Sequence, residues 1–336
     1  MVVLSRSSIS QFILPKPCMP TNNTPSLLSE IPEIDLSDPQ AKTLIVKASQ
    51  DFGFFKLINH GISLDLILDL EAQAMNFFAL PQDHKNRAGP PDPFGYGSKH
   101  IGPHGDLGWI EYLLLSLNPE VVSPKSLSIF QENPETFRSA VVEYISATKK
   151  LSFGVLELMA EGLGIEEKNT FSKLLRNERS DCVFRLNYYP PCEDIDEKLL
   201  GFGEHTDPQM ISVLRSNNTS GLQICLKDGS WVSVPPDNTS FFVNVGDTLQ
   251  VMTNGRFKSV RHRVVPDTSK SRLSMIYFAG TAFNEKIKPL PCLMTNQEQS
   301  LYKELTWFEF KKTAFKHRLS HNRISLFLKS PPSYIS

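Results

Sequence analysis

A chain of 336 residues is long enough for two domains, or for one large domain with attached helical segments, around a substantial core. Its 35 basic and 36 acidic side chains leave a formal charge of -1 and form no long block of one sign. That excludes the electrostatic footprint of a nucleic-acid binder and favours a small-molecule partner. No apolar run approaches the roughly 20 residues of a membrane-spanning helix, so no membrane partner is expected. The cysteines Cys18, Cys182, Cys192, Cys225 and Cys292 are scattered, with no Cys-x-x-Cys pair, and read as reduced thiols of a cytosolic protein.

In chain order, residues 1–29 lack acids, and Pro15, Pro17 and Pro20 interrupt any amphipathic helix, so they read as a flexible tail. Ile31 to Asp35 is extended, Asp38 to Asp51 has helical spacing, and the aromatic run Phe52 to Asn59 reads as a strand. Leu64 to Phe78 is a second helix, closed by Pro81. Ala88 to Gly108, dense in glycine and proline, reads as a long functional loop. Pro134 to Leu163 is helical and stops at Gly164.

Beyond about residue 180 the period shortens, and turn signals such as Asp228-Gly229 and Asn254-Gly255 separate the apolar runs. The strands expected are Cys182 to Tyr189, Met210 to Leu214, Leu222 to Leu226, Trp231 to Val234, Phe241 to Val245, Thr248 to Met252, Val260 to Val265 and Leu273 to Phe278. Short strands at this spacing suggest a jelly roll. A last helix, Thr306 to Arg318, places Trp307, Phe310, Ala314 and Phe315 on one face. The expected organisation is α+β. A tail (1–29) precedes a helix-and-strand domain (30–130), a helical support (131–179), a jelly-roll core (180–283) and a C-terminal helical segment and tail (284–336). Nothing in the pattern specifies an oligomer.

His205-Thr206-Asp207 sets an imidazole and a carboxylate at i and i+2, which an extended backbone points to one side. His262, on a later strand, is a third donor that a barrel could bring to them. Two histidines and one carboxylate on one face of an ion leave three positions open, the arrangement of non-haem Fe(II) oxygenases, and no cysteine competes to make a structural zinc site. A lone His-x-Asp is common by chance; Arg272-Leu273-Ser274 lends it weight. There a guanidinium fork beside a hydroxyl is shaped to hold the far carboxylate of a dicarboxylic acid. In Arg185-Leu186-Asn187-Tyr188-Tyr189-Pro190-Pro191, Asn187 and Tyr189 share a face and offer an amide and a phenol, although paired tyrosines commonly fill cores.

These motifs together resemble the plant soluble 2-oxoglutarate-dependent dioxygenases, from Ile31 to about Phe315. The likeness includes Asp51-Phe52-Gly53-Phe54-Phe55 and Asn59-His60-Gly61, which places His60 in a packing motif. Gly95 to Lys99, Gly105 to Leu114, Gly203 to Gln209 and Leu214 to Gly221 are similar to gibberellin 2-oxidases, most of all the branch acting on 19-carbon gibberellins. The resemblance implies 2β-hydroxylation of a diterpenoid acid, inactivating the hormone, with Fe(II), 2-oxoglutarate and O2 consumed and ascorbate as reductant. It implies His205, Asp207 and His262 as metal ligands, and Arg272 and Ser274, with Tyr189 and Asn187, as the 2-oxoglutarate site. A rigid acid needs a mostly apolar pocket with few polar anchors; Tyr96, Lys99, His100 and Tyr302 are the candidates for its carboxylate. Oxidation of another gibberellin carbon or of a flavonoid is the nearer alternative. A jelly roll that binds a hormone without chemistry is the more distant one.

Overall fold

The computed structural model describes residues 31–92, 94–101, 106–117, 119–130, 133–193, 199–295, 297–316 and 323–329. The expected tail at 1–29, Cys18 and the end of the last helix at Arg318 lie outside them, as does the side chain of Phe315. In chain order the elements are β1 (Glu33–Asp35), α1 (Ala41–Asp51), β2 (Phe54–Ile58), α2 (Leu64–Ala79), α3 (Gln82–Asn86), β3 (Gly95–Ile101), β4 (Asp106–Ser116), α4 (Pro119–Ile129) and α5 (Pro134–Gly162). The second half holds β5 (Val183–Tyr189), β6 (Phe202–His205), β7 (Ile211–Ser216), β8 (Leu222–Cys225), β9 (Trp231–Ser233), β10 (Phe241–Val245), α6 (Asp247–Met252), β11 (His262–Val264), β12 (Arg272–Ala279), β13 (Lys286–Ile287), β14 (Leu305–Thr306) and α7 (Trp307–Lys316).

An eight-stranded sheet of order β1-β2-β10-β7-β12-β5-β4-β3 faces a four-stranded sheet of order β6-β11-β8-β9. This is the double-stranded β-helix, or jelly roll, flanked by helices that the change of period had indicated. Strand alternation gives the large sheet two different faces. Its outer face carries Phe55, Leu113, Leu186, Val213 and Met275 into one core with α1, α2 and α5. Its inner face carries Phe54, Ile110, Tyr189, Leu214 and Phe242 against Phe202, Leu222, Ile224 and Val264 of the small sheet.

The long helix α5 backs the barrel because Phe137, Val141, Tyr144, Ile145, Thr148, Leu151, Val155 and Met159 recur every three or four residues and are buried. It ends as the sequence indicated. Gly164 takes φ +74°, and the amides of Gly164 and Ile165 return to the carbonyls of Glu161 and Ala160 at 3.0 Å, the paired bonds that close a helix on a left-handed residue. No described helix is long and apolar enough to cross a membrane.

Two expectations are corrected. Thr248 to Met252 is not a strand but most of the helix α6. A short run with Asp247, Thr248, Leu249, Val251 and Met252 all buried shows no alternation, and such runs fit a buried helix as well as a buried strand. Ala88 to Gly108 is not one long loop: β3 and the start of β4 run through it as an antiparallel pair. Gly97 and Gly108 mark close approaches rather than turns. A Cβ on Gly97 would lie 2.3 Å from the Tyr112 ring, and one on Gly108 2.3 Å from the Gly201 carbonyl. The sequence reading also missed the short elements β6, α3 and α4.

Candidate active site

The antiparallel register of β6 and β11 sets His262 directly opposite His205, so the distant third donor reaches the first pair through the small sheet. The ring centroids of the two histidines are 4.2 Å apart. Asp207 Oδ1 lies 3.6 Å from His205 Nε2 and 3.8 Å from His262 Nε2. Donors closer than twice a metal–ligand bond of about 2.1 Å can share one ion. These three form the one group of such donors found among the described residues.

The surroundings prepare each donor. His205 Nδ1 lies 2.8 Å from the Gly203 carbonyl and His262 Nδ1 3.2 Å from the Val260 carbonyl. A carbonyl only accepts, so both Nδ1 atoms carry the proton and both Nε2 lone pairs are free for a metal. Ser212 Oγ donates to Asp207 Oδ2 at 2.6 Å and Asn244 Nδ2 donates at 3.2 Å, leaving Oδ1 for the ion. Burial pushes the His205 imidazole down to about 3, with the neighbouring His262 adding to it. Burial alone would raise the Asp207 carboxyl, but the imidazoles of His262 and His205 and the donors Ser212 and Asn244 hold it below its ordinary value. His205 therefore stays neutral and Asp207 anionic, as a divalent ion needs.

The helix that replaces the expected strand has a part in this. The Asp247 amide donates to the Asp207 carbonyl at 2.8 Å, and Thr248 Oγ1 donates to the Pro208 carbonyl at 2.8 Å. Gly246 permits the approach: a Cβ there would stand 2.0 Å from the Gln209 carbonyl. Thus α6 clamps the backbone that carries Asp207.

Across the inner face of the large sheet the residues fall into rows, since directly opposed residues share a face. Nearest the triad, Val183, Phe278, Ser212 and Asn244 are aligned. Next come Leu114, Arg185, Ile276, Leu214 and Phe242, and then Tyr112, Asn187, Ser274 and Ser216. Arg272 pairs with Tyr189 in the last row. Arg272 is 2% exposed, and its guanidinium lies 5.5 Å from the Tyr189 ring centroid. Its Nε has no hydrogen-bond partner among the described residues. A buried guanidinium without an anion is costly, so the fold fits a carboxylate ligand at this point, with Ser274 one row away. Gly221 makes room for the arginine: a Cβ there would sit 3.1 Å from Arg272 Cδ. Asn187 Nδ2 donates to the Tyr189 hydroxyl at 3.3 Å, which joins the two polar side chains expected beside the clamp.

The four residues expected at a substrate carboxylate do not gather there. Tyr96 is a correction: it pairs with Leu113 on the outer face of the sheet, and its hydroxyl donates to Glu111 at 2.6 Å. Glu111 is in turn bonded to buried Lys85 at 2.5 Å, a structural ion pair under α2 and α3. Tyr302 is also a core residue, 5% exposed, with its hydroxyl accepting from Gln250 Nε2 at 3.0 Å. Lys99, at φ +64°, forms a bulge in β3, and His100 has an exposed side chain whose backbone carbonyl accepts the Tyr112 hydroxyl at 3.1 Å. Neither of these two meets the triad. His60 packs edge-on against Phe241 and bonds the Thr239 carbonyl at 2.9 Å, as its packing motif implied. Residues the sequence reading did not single out are Ser212 and Asn244 behind the metal ligand, and Tyr112, Phe202 and Arg185 at the wall of the cavity.

A jelly roll presenting two imidazoles, one carboxylate and an unpaired buried arginine is the architecture of a non-haem iron oxygenase. In agreement, residues 180–281 match the profile of the 2OG-Fe(II) oxygenase superfamily, and residues 31–135 match that of the non-haem dioxygenase in morphine synthesis N-terminal region. The crystal structure of JOX2 in complex with 2OG, Fe and JA superposes with a TM-score of 0.82 at 28% identity, covering 96% of this chain and 94% of that one. The protein is an enzyme of the 2-oxoglutarate- and Fe(II)-dependent oxygenase class, with O2 as its oxidant.

Within that class the chain is 63% identical to the gibberellin 2-beta-dioxygenase of Phaseolus coccineus over 98% of its length and 99% of the relative's. It is 60% identical to gibberellin 2-beta-dioxygenase 2 of Arabidopsis thaliana, over 90% of this chain and 89% of that one. The chain belongs to the gibberellin 2-beta-dioxygenase family.

Proposed function

We propose that this enzyme hydroxylates carbon 2 of 19-carbon gibberellins on the β face, converting 2-oxoglutarate to succinate and carbon dioxide and so inactivating the hormone. The observation that carries the chemistry is the convergence of His205, Asp207 and His262 on the inner side of the jelly roll, whose sheet also turns inward the buried Arg272 with an Nε that has no hydrogen-bond partner among the described residues. The substrate reading is supported by the relatives that carry the name gibberellin 2-beta-dioxygenase and by the sequence likeness over Gly95 to Lys99, Gly203 to Gln209 and Leu214 to Gly221. The domain limits 30–130 and 180–283 belong to the same proposal. So do a cytoplasmic location, with four described cysteines that form no disulfide among the described residues, and ascorbate as the reductant that keeps iron ferrous.

His205 Nε2, His262 Nε2 and Asp207 Oδ1 would hold the metal on one side, leaving the other side for co-substrate and oxygen. Ferrous iron bound there would supply the oxygen chemistry that couples decarboxylation of 2-oxoglutarate to hydroxylation. Arg272 and Ser274 would take the far carboxylate of 2-oxoglutarate by charge-assisted bonds, with Tyr189 and Asn187 lining that side. Ile110, Phe202, Leu214 and Ile276 make the neighbouring wall apolar, so water is excluded and the substrate is held before oxidation begins.

The test is to load the enzyme anaerobically with Fe(II) and 2-oxoglutarate, then admit oxygen in the presence of a gibberellin panel. The expected product gains one oxygen at carbon 2, with one succinate formed per product. Succinate formation that no gibberellin stimulates would refute the substrate reading.

A further inference from the structure

Arg185 is a second guanidinium on the same inner face of the sheet, half-buried, and the chemistry just described gives it no role. It lies mid-way along β5, two residues before Asn187 and four before Tyr189, and so shares their inward face. Its row stands between the row of Asn187 and Ser274 and the row of Ser212 and Asn244, which supports Asp207. The guanidinium stacks 4.1 Å from the Tyr112 ring centroid and lies 5.2 Å from that of Phe202. Phe202 in turn packs 4.5 Å from the ring of His205. Arg185 is thus held one aromatic ring away from a metal ligand.

Its hydrogen bonds are incomplete. Nε donates to Asn187 Oδ1 at 2.7 Å, which fixes the plane of the fork. Nη2 is shut off from solvent and has no hydrogen-bond partner among the described residues. The charged and titratable groups that act on it electrostatically are Tyr112, Tyr189 and Asp207, and Asp207 is committed to the metal set. A guanidinium does not give up its proton at any physiological pH, so burial cannot neutralise it. A buried donor left unmatched in the free protein points to a ligand that matches it. The far carboxylate of 2-oxoglutarate is accounted for by Ser274 and Arg272, one and two rows away. The remaining anion in the reaction is the carboxylate of the substrate acid.

We propose that Arg185 is the anchor for the substrate's carboxylate, its fork held flat on Tyr112 and beside Phe202 so that a rigid apolar acid is fixed near the open side of the metal triad. This rests on the gibberellin reading only for the identity of the acid. The aromatic supports are themselves built in. Tyr112 is pinned by its bond to the His100 carbonyl, and Gly97 leaves the space its ring fills. That gives the glycine-rich strand β3 a part in substrate binding without any contact from Tyr96.

The experiment measures equilibrium binding anaerobically, with the enzyme holding Fe(II) and 2-oxoglutarate. The ligands are gibberellins, their methyl esters, and a panel of other apolar carboxylic acids with their esters. Arg185→Gln should weaken binding of the acid about 100-fold, the loss typical of truncating one partner of a buried charge pair. Ester binding and the Kd for 2-oxoglutarate should stay as in the wild type. Equal losses for acid and ester would overturn the proposal, and so would a matching loss of 2-oxoglutarate affinity, which would place Arg185 in the co-substrate clamp or behind Asn187. If Arg185→Gln does not fold, Arg185→Lys keeps the charge but cannot bond Asn187 and a ligand together. It must still lose acid binding over ester binding, and an unchanged acid-to-ester ratio overturns the anchor. If the wild type binds another acid and no gibberellin, the substrate reading fails, while the same acid-to-ester contrast still judges Arg185. If it binds no acid at all, both fail.

Discussion

Replacing Ser212 by alanine removes one hydroxyl and leaves the chain otherwise as packed as before, because Ser212 is fully buried and its Cβ is retained. The hydroxyl donates to Asp207 Oδ2 at 2.6 Å, a short bond to a charged acceptor. Such bonds contribute about 1.5–3 kcal/mol. The carboxylate keeps one donor, Asn244 at 3.2 Å, so it is weakened rather than freed. At about 1.4 kcal/mol per factor of ten, Fe(II) affinity should fall roughly 10- to 100-fold. The sign with pH follows from the same bond. Losing a donor to the anion lets the Asp207 carboxyl rise, so the acid limb of metal binding should move to higher pH in the variant.

The assay is an anaerobic Fe(II) titration against a competing chelator at several pH values, with thermal unfolding of the metal-free protein as a control for folding. A folded Ser212→Ala protein that binds Fe(II) as tightly as the wild type would refute the claim that this bond orients Asp207 toward a metal. It would count against Asp207 as a ligand as well. Asn244→Ala should give a smaller loss, and the double variant should lose more than the two single losses added together, because the donors act on one oxygen.

Arg272→Ala should raise the concentration of 2-oxoglutarate needed for half-maximal turnover by about 100-fold or more while Fe(II) binding changes little; an unchanged requirement would remove Arg272 from the clamp. Gly97→Ala puts a Cβ 2.3 Å from the Tyr112 ring, so it should impair gibberellin binding and spare 2-oxoglutarate, with equilibrium binding of both as the check. Glu111→Gln leaves Lys85 charged and buried beneath Tyr96 and should cost about 3–5 kcal/mol of stability, read from denaturant unfolding. Burial would raise the Asp237 carboxyl, but Lys56 at 2.5 Å and donors from Thr239 and Ser240 hold it well below its ordinary 3.8. Its contribution is therefore complete above about pH 4 and is lost as pH falls below that. Asp237→Asn should remove about 1 kcal/mol at neutral pH and flatten the acid limb of the stability curve, and parallel limbs for the two proteins would contradict this.

The metal set was legible because its chemistry is local in period. His205 and Asp207 are spaced for one side of an extended segment, and His262 lies in an apolar run of strand character. The register that sets His262 opposite His205 is a tertiary fact, and only the barrel supplies it. Where residues carry two meanings the sequence misled. Glycines 95, 97 and 108 look like turn residues and serve as close approaches within strands. The buried run 248–252 has no alternation to mark it as strand or helix. Tyr96 lies in the glycine-rich run that suggests a binding loop, but period-two alternation from Tyr112 and Gly97 puts it on the face turned toward the helices.

The same alternation applied to β5 reaches further. Asn187 and Tyr189 were read as facing the cavity, and position 185 is two residues earlier on that strand, so Arg185 had to face inward with them. What no sequence pattern could give is that Arg185 meets aromatic rings and an amide, with Nη2 left unbonded among the described residues, because that is set by every element around it. An arginine whose inward direction is fixed by period and whose neighbours are Tyr112, Phe202 and Asn187 has its specificity written in what is left unbonded. Side chains that complete themselves within the fold, such as Tyr96 on Glu111 and Tyr302 on Gln250, are by that fact poor candidates for binding a substrate. Satisfaction of buried polar groups therefore sorts the cavity's residues into scaffold and site more sharply than residue type does.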